Sequence, residues 1–323
     1  TVGGEVFAVS SDGGGMYFGG ATAGADVRIL SAGNTAITLD SGQNATFAGD
    51  LDVSGDLLSS AASAGANAFS AGISAGTTTQ GGSAVAVGDR AGTTTQGISA
   101  VAVGQQAGQT TQSADAVAVG RAAGNNNQGL NAVAVGLTAG QTTQGTQAVA
   151  VGNGAGQTTQ GGSAVAVGPS AGTTNQGDYA VATGYLAGND TQGSNSVAVG
   201  AGAGRTTQGG SAVAVGNNAG QTSQGTQAVA VGNGAGTTTQ SASATAVGVS
   251  AGNSAQGASA VAVGDRAGQT TQGAQAVAVG NQAGQTTQGD YAVAVGISAG
   301  QTSQGTLSVA TGYFAGYDTQ GDS

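Results

Sequence analysis

The chain has no cysteine, histidine, tryptophan or lysine, and a single proline in 323 residues. Without cysteine no disulfide can staple it and no thiolate can serve as nucleophile or metal ligand. Without His, Cys or Lys, the side chains most often recruited for acid–base and nucleophilic chemistry near neutral pH are missing, and serine triads and zinc sites go with them. Carboxylate pairs remain, but the acids of the repeated region (Asp89, Asp115, Asp178, Asp190, Asp265, Asp290 and Asp318) stand mostly in variable positions at irregular intervals. No enzymatic activity, cofactor or metal is therefore expected.

Charge is scarce too. Charged residues make up 6% of the chain, against roughly 25% in an ordinary globular domain. Five arginines (Arg28, Arg90, Arg121, Arg205 and Arg266) are scattered singly among fifteen acids, for a net charge of −10. Neutralising a phosphate backbone needs clustered cations, so nucleic acid is not an expected partner. No apolar run is long enough for a spanning helix, and membrane insertion by this segment is not expected. The absence of cysteine suits an exported chain and a cytoplasmic one equally.

Glycine is abundant instead: 65 residues with no Gly-X-Y period, which excludes collagen and leaves disorder or a repeat architecture. A period decides between them. From Gly65 to Gln320 the chain falls into sixteen units of sixteen residues without insertion or deletion, as in Gly161-Gly-Ser-Ala-Val-Ala-Val-Gly-Pro-Ser-Ala-Gly-Thr-Thr-Asn-Gln176. Column eight is always Gly, column eleven Ala, column twelve Gly and column sixteen Gln. Columns five and seven are nearly always Val, and columns four and six nearly always Ala. Columns two, three, nine, ten and thirteen vary freely.

Ala-Val-Ala-Val has alternate β-branched residues and is stopped at once by Gly, so it reads as a short strand ended by a turn. The half Ala-Gly-x-Thr-Thr-Gln offers a second, Thr-rich strand. Two strands and two turns per unit make one coil of a parallel β-solenoid, or β-roll. Sixteen coils stacked at strand spacing form a rod of roughly 75 Å. Neighbouring strand residues point to opposite faces, so this strand is apolar on both. The thin Ala face suits the narrow interior, while the alternative puts Val inside. Either way one apolar face is left over, larger than soluble monomers usually expose, and a partner chain is the economical cover.

The column of glutamines (Gln96, Gln112, Gln128, Gln144 and their equivalents) predicts an amide ladder. The adjacent threonines bear on ice binding, which needs two outward threonines per coil separated by one residue. In a regular strand only one of two neighbours points outward, which argues against that function. Aromatic residues gather in the eighth and sixteenth units (Tyr179, Tyr185, Tyr313, Phe314 and Tyr317) and are candidate contacts for a surface glycan or protein, although a padding role in the assembly carries more weight. These two units also share Asp190 and Asp318 in a threonine column, which suggests duplication of an eight-unit block. The sequons at Asn44 and Asn189, and the glycine cluster Gly152, Gly154 and Gly156, are expected to be chance matches and a turn.

Ser99-Ala-Val-Ala-Val-Gly104 and Asn195-Ser-Val-Ala-Val-Gly200 resemble the S-V-A-I-G-type repeats of trimeric autotransporter adhesin heads, and similar arrays in phage tail fibres. That resemblance covers residues 65–320 and implies a parallel homotrimer with this strand near the three-fold axis. The unit length of sixteen and the Ala-Gly-x-Thr-Thr-Gln half depart from it, and no neck, stalk or anchor is visible. Residues 1–64 form a β-rich segment, with alternating stretches Glu5–Val9, Val27–Leu30, Ala36–Leu39 and Ala45–Ala48. Its run from Ala45 to Leu57 is similar to tail-fibre shaft segments, which implies an attachment or trimer-nucleating role, with 58–65 as connector. The end at 321–323 resembles the serine termini left by self-cleaving fibre chaperones. The expectation is a phage tail-fibre shaft or head, a rigid spacer located in the virion, that can contact the host surface. A bacterial adhesin head at the cell surface is the alternative, and an ice-binding solenoid the third reading.

Overall fold

A computed structural model describes residues 65–322 and five strands before them: Ala8–Ser11, Met16–Gly19, Val27–Ser31, Asn34–Leu39 and Ala45–Phe47. The chain divides after Leu57 into two units. In the first, Ala8–Ser11 pairs antiparallel with Met16–Gly19, and Asn34–Leu39 pairs antiparallel with both Val27–Ser31 and Ala45–Phe47. Most of the stretches expected to be extended there fall in these strands. Glu5, Asn44, the connector from 58 to 64 and Ser323 lie outside the described residues.

The second unit is a parallel β-solenoid of sixteen coils, all-β, with no helix among the described residues. Columns five to seven form three-residue strands such as Val85–Val87 and Val101–Val103, and columns fifteen and sixteen form two-residue strands such as Thr95–Gln96. Each set stacks into its own sixteen-stranded parallel sheet, every strand paired with its neighbours sixteen residues away in strict register. Identical lengths force identical register, because one residue of slip would turn every valine to the other face.

Alanine takes the inside. Ala84, Ala86 and Ala91, in columns four, six and eleven, are completely buried, as are their equivalents in the interior coils. The two sheets lie so close that a methyl group fills the space between them. Columns five and seven face outward and remain half-buried. Where serine replaces alanine in column four the hydroxyl is paid for locally: Ser308 is buried and donates to the Gly305 carbonyl at 2.7 Å.

The corners explain which columns vary. Columns three and ten are left-handed even without glycine, as in Ser83 (φ 58°) and Arg90 (φ 56°). From the second coil onward each such residue donates backward to the preceding coil, Ser83 N–H to Ala66 O and Arg90 N–H to Ile73 O, both at 2.8 Å, whereas the first strand amide donates forward, Val85 N–H to Ala100 O at 2.9 Å. These cross-coil bonds hold a conformation that costs a non-glycine residue about 1 kcal/mol or more. From the second coil onward, the amides of columns two, nine and thirteen make no backbone hydrogen bond. The single proline, Pro169, accordingly occupies column nine, where no N–H is needed.

The threonine half departs from expectation. Thr94 N–H bonds Gln109 O and Thr95 N–H bonds Thr110 O, two successive amides donating to the same neighbouring coil. In a regular parallel strand they would alternate; here the chain bends at column fourteen, just before the two-residue strand, and two consecutive side chains turn outward. Thr94 and Thr95 are both exposed, as are Thr142 and Thr143. The premise that only one of each pair can point outward is therefore wrong, and the second strand shrinks to two residues.

Candidate functional site

The rod presents two different flat faces, separated by variable corners. On one, two rows of valine run along the sheet of columns five to seven. Val167, Val199 and Val295 keep 36%, 36% and 37% of their surface. No Asp, Glu, Lys or Arg occurs in these columns or in column four in any coil. On the other face the exposed threonines of columns fourteen and fifteen form paired rows, interrupted by carboxylates only at Asp190 and Asp318.

Between the faces runs the glutamine column. Gln96, Gln112, Gln128 and Gln144 are at most 2% exposed. The Gln112 amide donates to Val101 O at 2.8 Å, to Ala116 O at 3.1 Å and to Gln128 Oε1 at 3.1 Å, and its own oxygen accepts from Gln96 Nε2 at 3.2 Å. Each side chain thus ties the Val strand across the roll and its counterpart in the next coil. The chain of amides is broken in places: the oxygens of Gln144 and Gln176 are buried and lack a hydrogen-bond partner. Glycine in column twelve makes room for this amide. At Gly108, with φ 51°, an added Cβ would lie 2.7 Å from Gln112 Oε1.

A second, outer ladder occupies column thirteen, which sequence reasoning treated as free. Gln301 Nε2 donates to Gln285 Oε1 at 2.8 Å, Gln285 to Gln269 at 2.9 Å, and Asn125 Nδ2 to Gln109 Oε1 at 3.1 Å. The signal was present: this column is Thr, Gln or Asn except at Arg205 and Tyr317. Asn189 belongs to it, its amide donating to Ser170 O and Thr173 Oγ1, both at 3.0 Å. The nitrogen a glycan would need is thus already engaged.

The aromatic candidates divide into two arrangements. Tyr179 and Tyr185, 65% and 59% exposed, stand at columns three and nine, on either side of the strand Val181–Thr183, without ring contact. Tyr313, Phe314 and Tyr317 come together, with centroids 4.3 Å apart edge-to-face and 4.9 Å apart tilted. Tyr291, in column three and 52% exposed, belongs with Tyr179 and was missed. The repeated Gly-Asp-Tyr-Ala-Val at 177 and 289 could have found it. In both places the aspartate caps the preceding coil, Asp178 Oδ1 accepting from Gly162 N–H at 2.8 Å and Asp290 Oδ1 from Ala274 N–H at 2.7 Å.

Among the described residues no group of three or more Asp, Glu, His or Cys is placed to hold a metal ion, and no helix is long and apolar enough to cross a membrane. Comparison of the chain with protein-family models, with curated proteins and with solved structures found no match.

Proposed function

We propose that this chain is a subunit of a rigid structural fibre, a phage tail-fibre shaft or head, that associates through its valine face into a parallel homotrimer and holds a host-contacting element away from the virion. The observation that carries this reading is the partly exposed, charge-free double row of valine, unbroken in direction along the solenoid. Over a rod of roughly 75 Å it exceeds the few hundred Å² that soluble monomers expose and approaches the ~800 Å² per partner of a stable interface. Stiffness follows from the strict register and the buried amides, which leave little freedom between coils. A bacterial adhesin head at the cell surface would use the same architecture, and labelling of intact virions separates the two.

Light scattering on the purified chain should give three times 29.7 kDa, and the double substitution Val149→Lys, Val151→Lys should release monomers with an unchanged β-type circular dichroism spectrum. A folded monomer of the unsubstituted chain at working concentration refutes the proposal.

The outward turn of both threonine columns favours a second reading, ice binding. The paired rows repeat at the coil spacing, and β-branched side chains are stiff at χ1, so the hydroxyl and methyl array is preorganised. Thermal hysteresis that disappears in Thr142→Lys, Thr158→Lys would support it. Round, unshaped ice crystals in the presence of the intact protein would exclude it.

A further inference from the structure

Column one is Gly in every unit but two, for a steric reason: an added Cβ at Gly97 would lie 2.3 Å from Ala114 N, and one at Gly129 would lie 2.6 Å from Gly145 C. Ser113 carries a Cβ there all the same, and the corner opens to take it. Its N–H reaches Gln128 O at 3.0 Å, against 2.7 Å for Gly97 to Gln112 and 2.8 Å for Gly129 to Gln144. In the adjoining corner row, Asn131 N–H reaches Ala114 O at 3.2 Å, against 2.9 Å and 2.8 Å for the bonds of Asp115 and Gln147. The same unit replaces the usual threonines with Asn125, Asn126 and Asn127.

At this place a cleft of about 220 Å³ is lined by Ser113, Asn127, Gly129, Thr143, Gly145 and Thr146, together with the neighbouring glutamines. Among the described residues the side chains of Ser113, half-buried, and of Asn127, Thr143 and Thr146, all exposed, have no hydrogen-bond partner in the chain, and the Thr146 N–H, like the other amides of column two, has no backbone acceptor. Further along the same row, the Gly162 N–H is capped by the carboxylate of Asp178, the residue above it. Above Thr146 the corresponding residue is Gly162, which has no side chain to offer.

From this we infer that the Ser113–Asn127 cleft is a binding site for one neutral sugar ring of a polysaccharide. Three hydroxyls, one amide and one backbone N–H stand ready as mixed donors and acceptors within a volume that one pyranose can occupy, and polyhydroxylated ligands match that mixture. The lining has no cation, and the chain's net charge of −10 opposes an anionic sugar. No ring lines the cleft for stacking, so a single saccharide binds weakly and affinity grows with repeated engagement along a polymer. This inference does not rest on the fibre reading, since a monomeric rod would carry the same cleft.

Saturation-transfer NMR on the intact protein, with methyl glucoside, methyl galactoside, methyl mannoside and glucuronate as separate probes, tests it. At least one neutral glycoside should bind saturably. The double substitution Ser113→Gly, Asn127→Thr restores what most other coils carry and should keep the melting temperature while weakening that binding at least tenfold. Ser241→Gly, in a coil with Ala255 at the asparagine position, should leave it unchanged. No saturable binding by any neutral probe, binding that survives the double substitution, or a preference for glucuronate overturns the assignment.

Discussion

Replacing Gln112 by leucine, at nearly constant volume, isolates what the buried amide ladder contributes. The wild-type side chain makes three donations and accepts one, at 2.8 to 3.2 Å. Leucine removes all four and leaves Gln128 Oε1 buried without a donor. A buried orphan costs about 1–3 kcal/mol and each lost bond roughly 1 kcal/mol, offset in part by the apolar burial leucine gains. The expected net loss is about 2–4 kcal/mol. Gln128→Leu is the control. It deletes bonds to Val117 O and Ala132 O and the one accepted from Gln112 Nε2, which keeps its two carbonyl partners, and the next oxygen in the column, Gln144 Oε1, is already unpaired. No new orphan appears, so this variant should be milder by about 1–3 kcal/mol. Guanidinium unfolding followed by circular dichroism, with amide exchange to localise the loss, measures both. If Gln112→Leu proves neutral, or no worse than Gln128→Leu, the ladder does not hold the coils together and the reasoning fails.

Proline should discriminate adjacent corner positions. Ala201→Pro, in the column of Pro169, gives up no backbone bond and should shift the melting temperature little. Gly202→Pro demands a negative φ at a residue with φ 65° and deletes its 2.9 Å bond to Tyr185 O, so it should cost about 3 kcal/mol or more. Gly108→Ala forces a Cβ to 2.7 Å from Gln112 Oε1 at φ 51° and should cost about 1–3 kcal/mol, read from thermal melts. Because the chain has no His, Cys or Lys, no side-chain type that normally titrates between about pH 5 and 8 is present. Its melting temperature should therefore be flat from pH 6 to 8, and a steep dependence in that window would contradict this account.

Much of the fold is legible in the residues because the repeat is strict. Invariant Gly72 through Gly312 mark the end of each Val strand, sixteen-residue spacing imposes in-register parallel stacking, and the apolar alternation of Val85 and Ala86 assigns one residue to each face. Which face lies inside does not follow from alternation, since both are apolar. It is decided by the distance between the sheets, which admits the methyl of Ala86 and the Gln96 amide but leaves valine outside. The same holds for the threonines. Sequence assigns them to a strand, but only the cross-coil bonds of Thr94 and Thr95 reveal the bend that turns both outward. The pairing within column thirteen and the Ser113 corner also needed three dimensions, because the partners lie sixteen or nineteen residues away; the restriction of column thirteen to Thr, Gln or Asn signalled a constraint but not its partners. Sequence alone determined the period, the strands and the lack of side-chain types that titrate near neutral pH, all of which depend on residue type and order. The tertiary structure decided what is buried, what is paired and where the coils part, because those depend on atoms of different coils meeting in space.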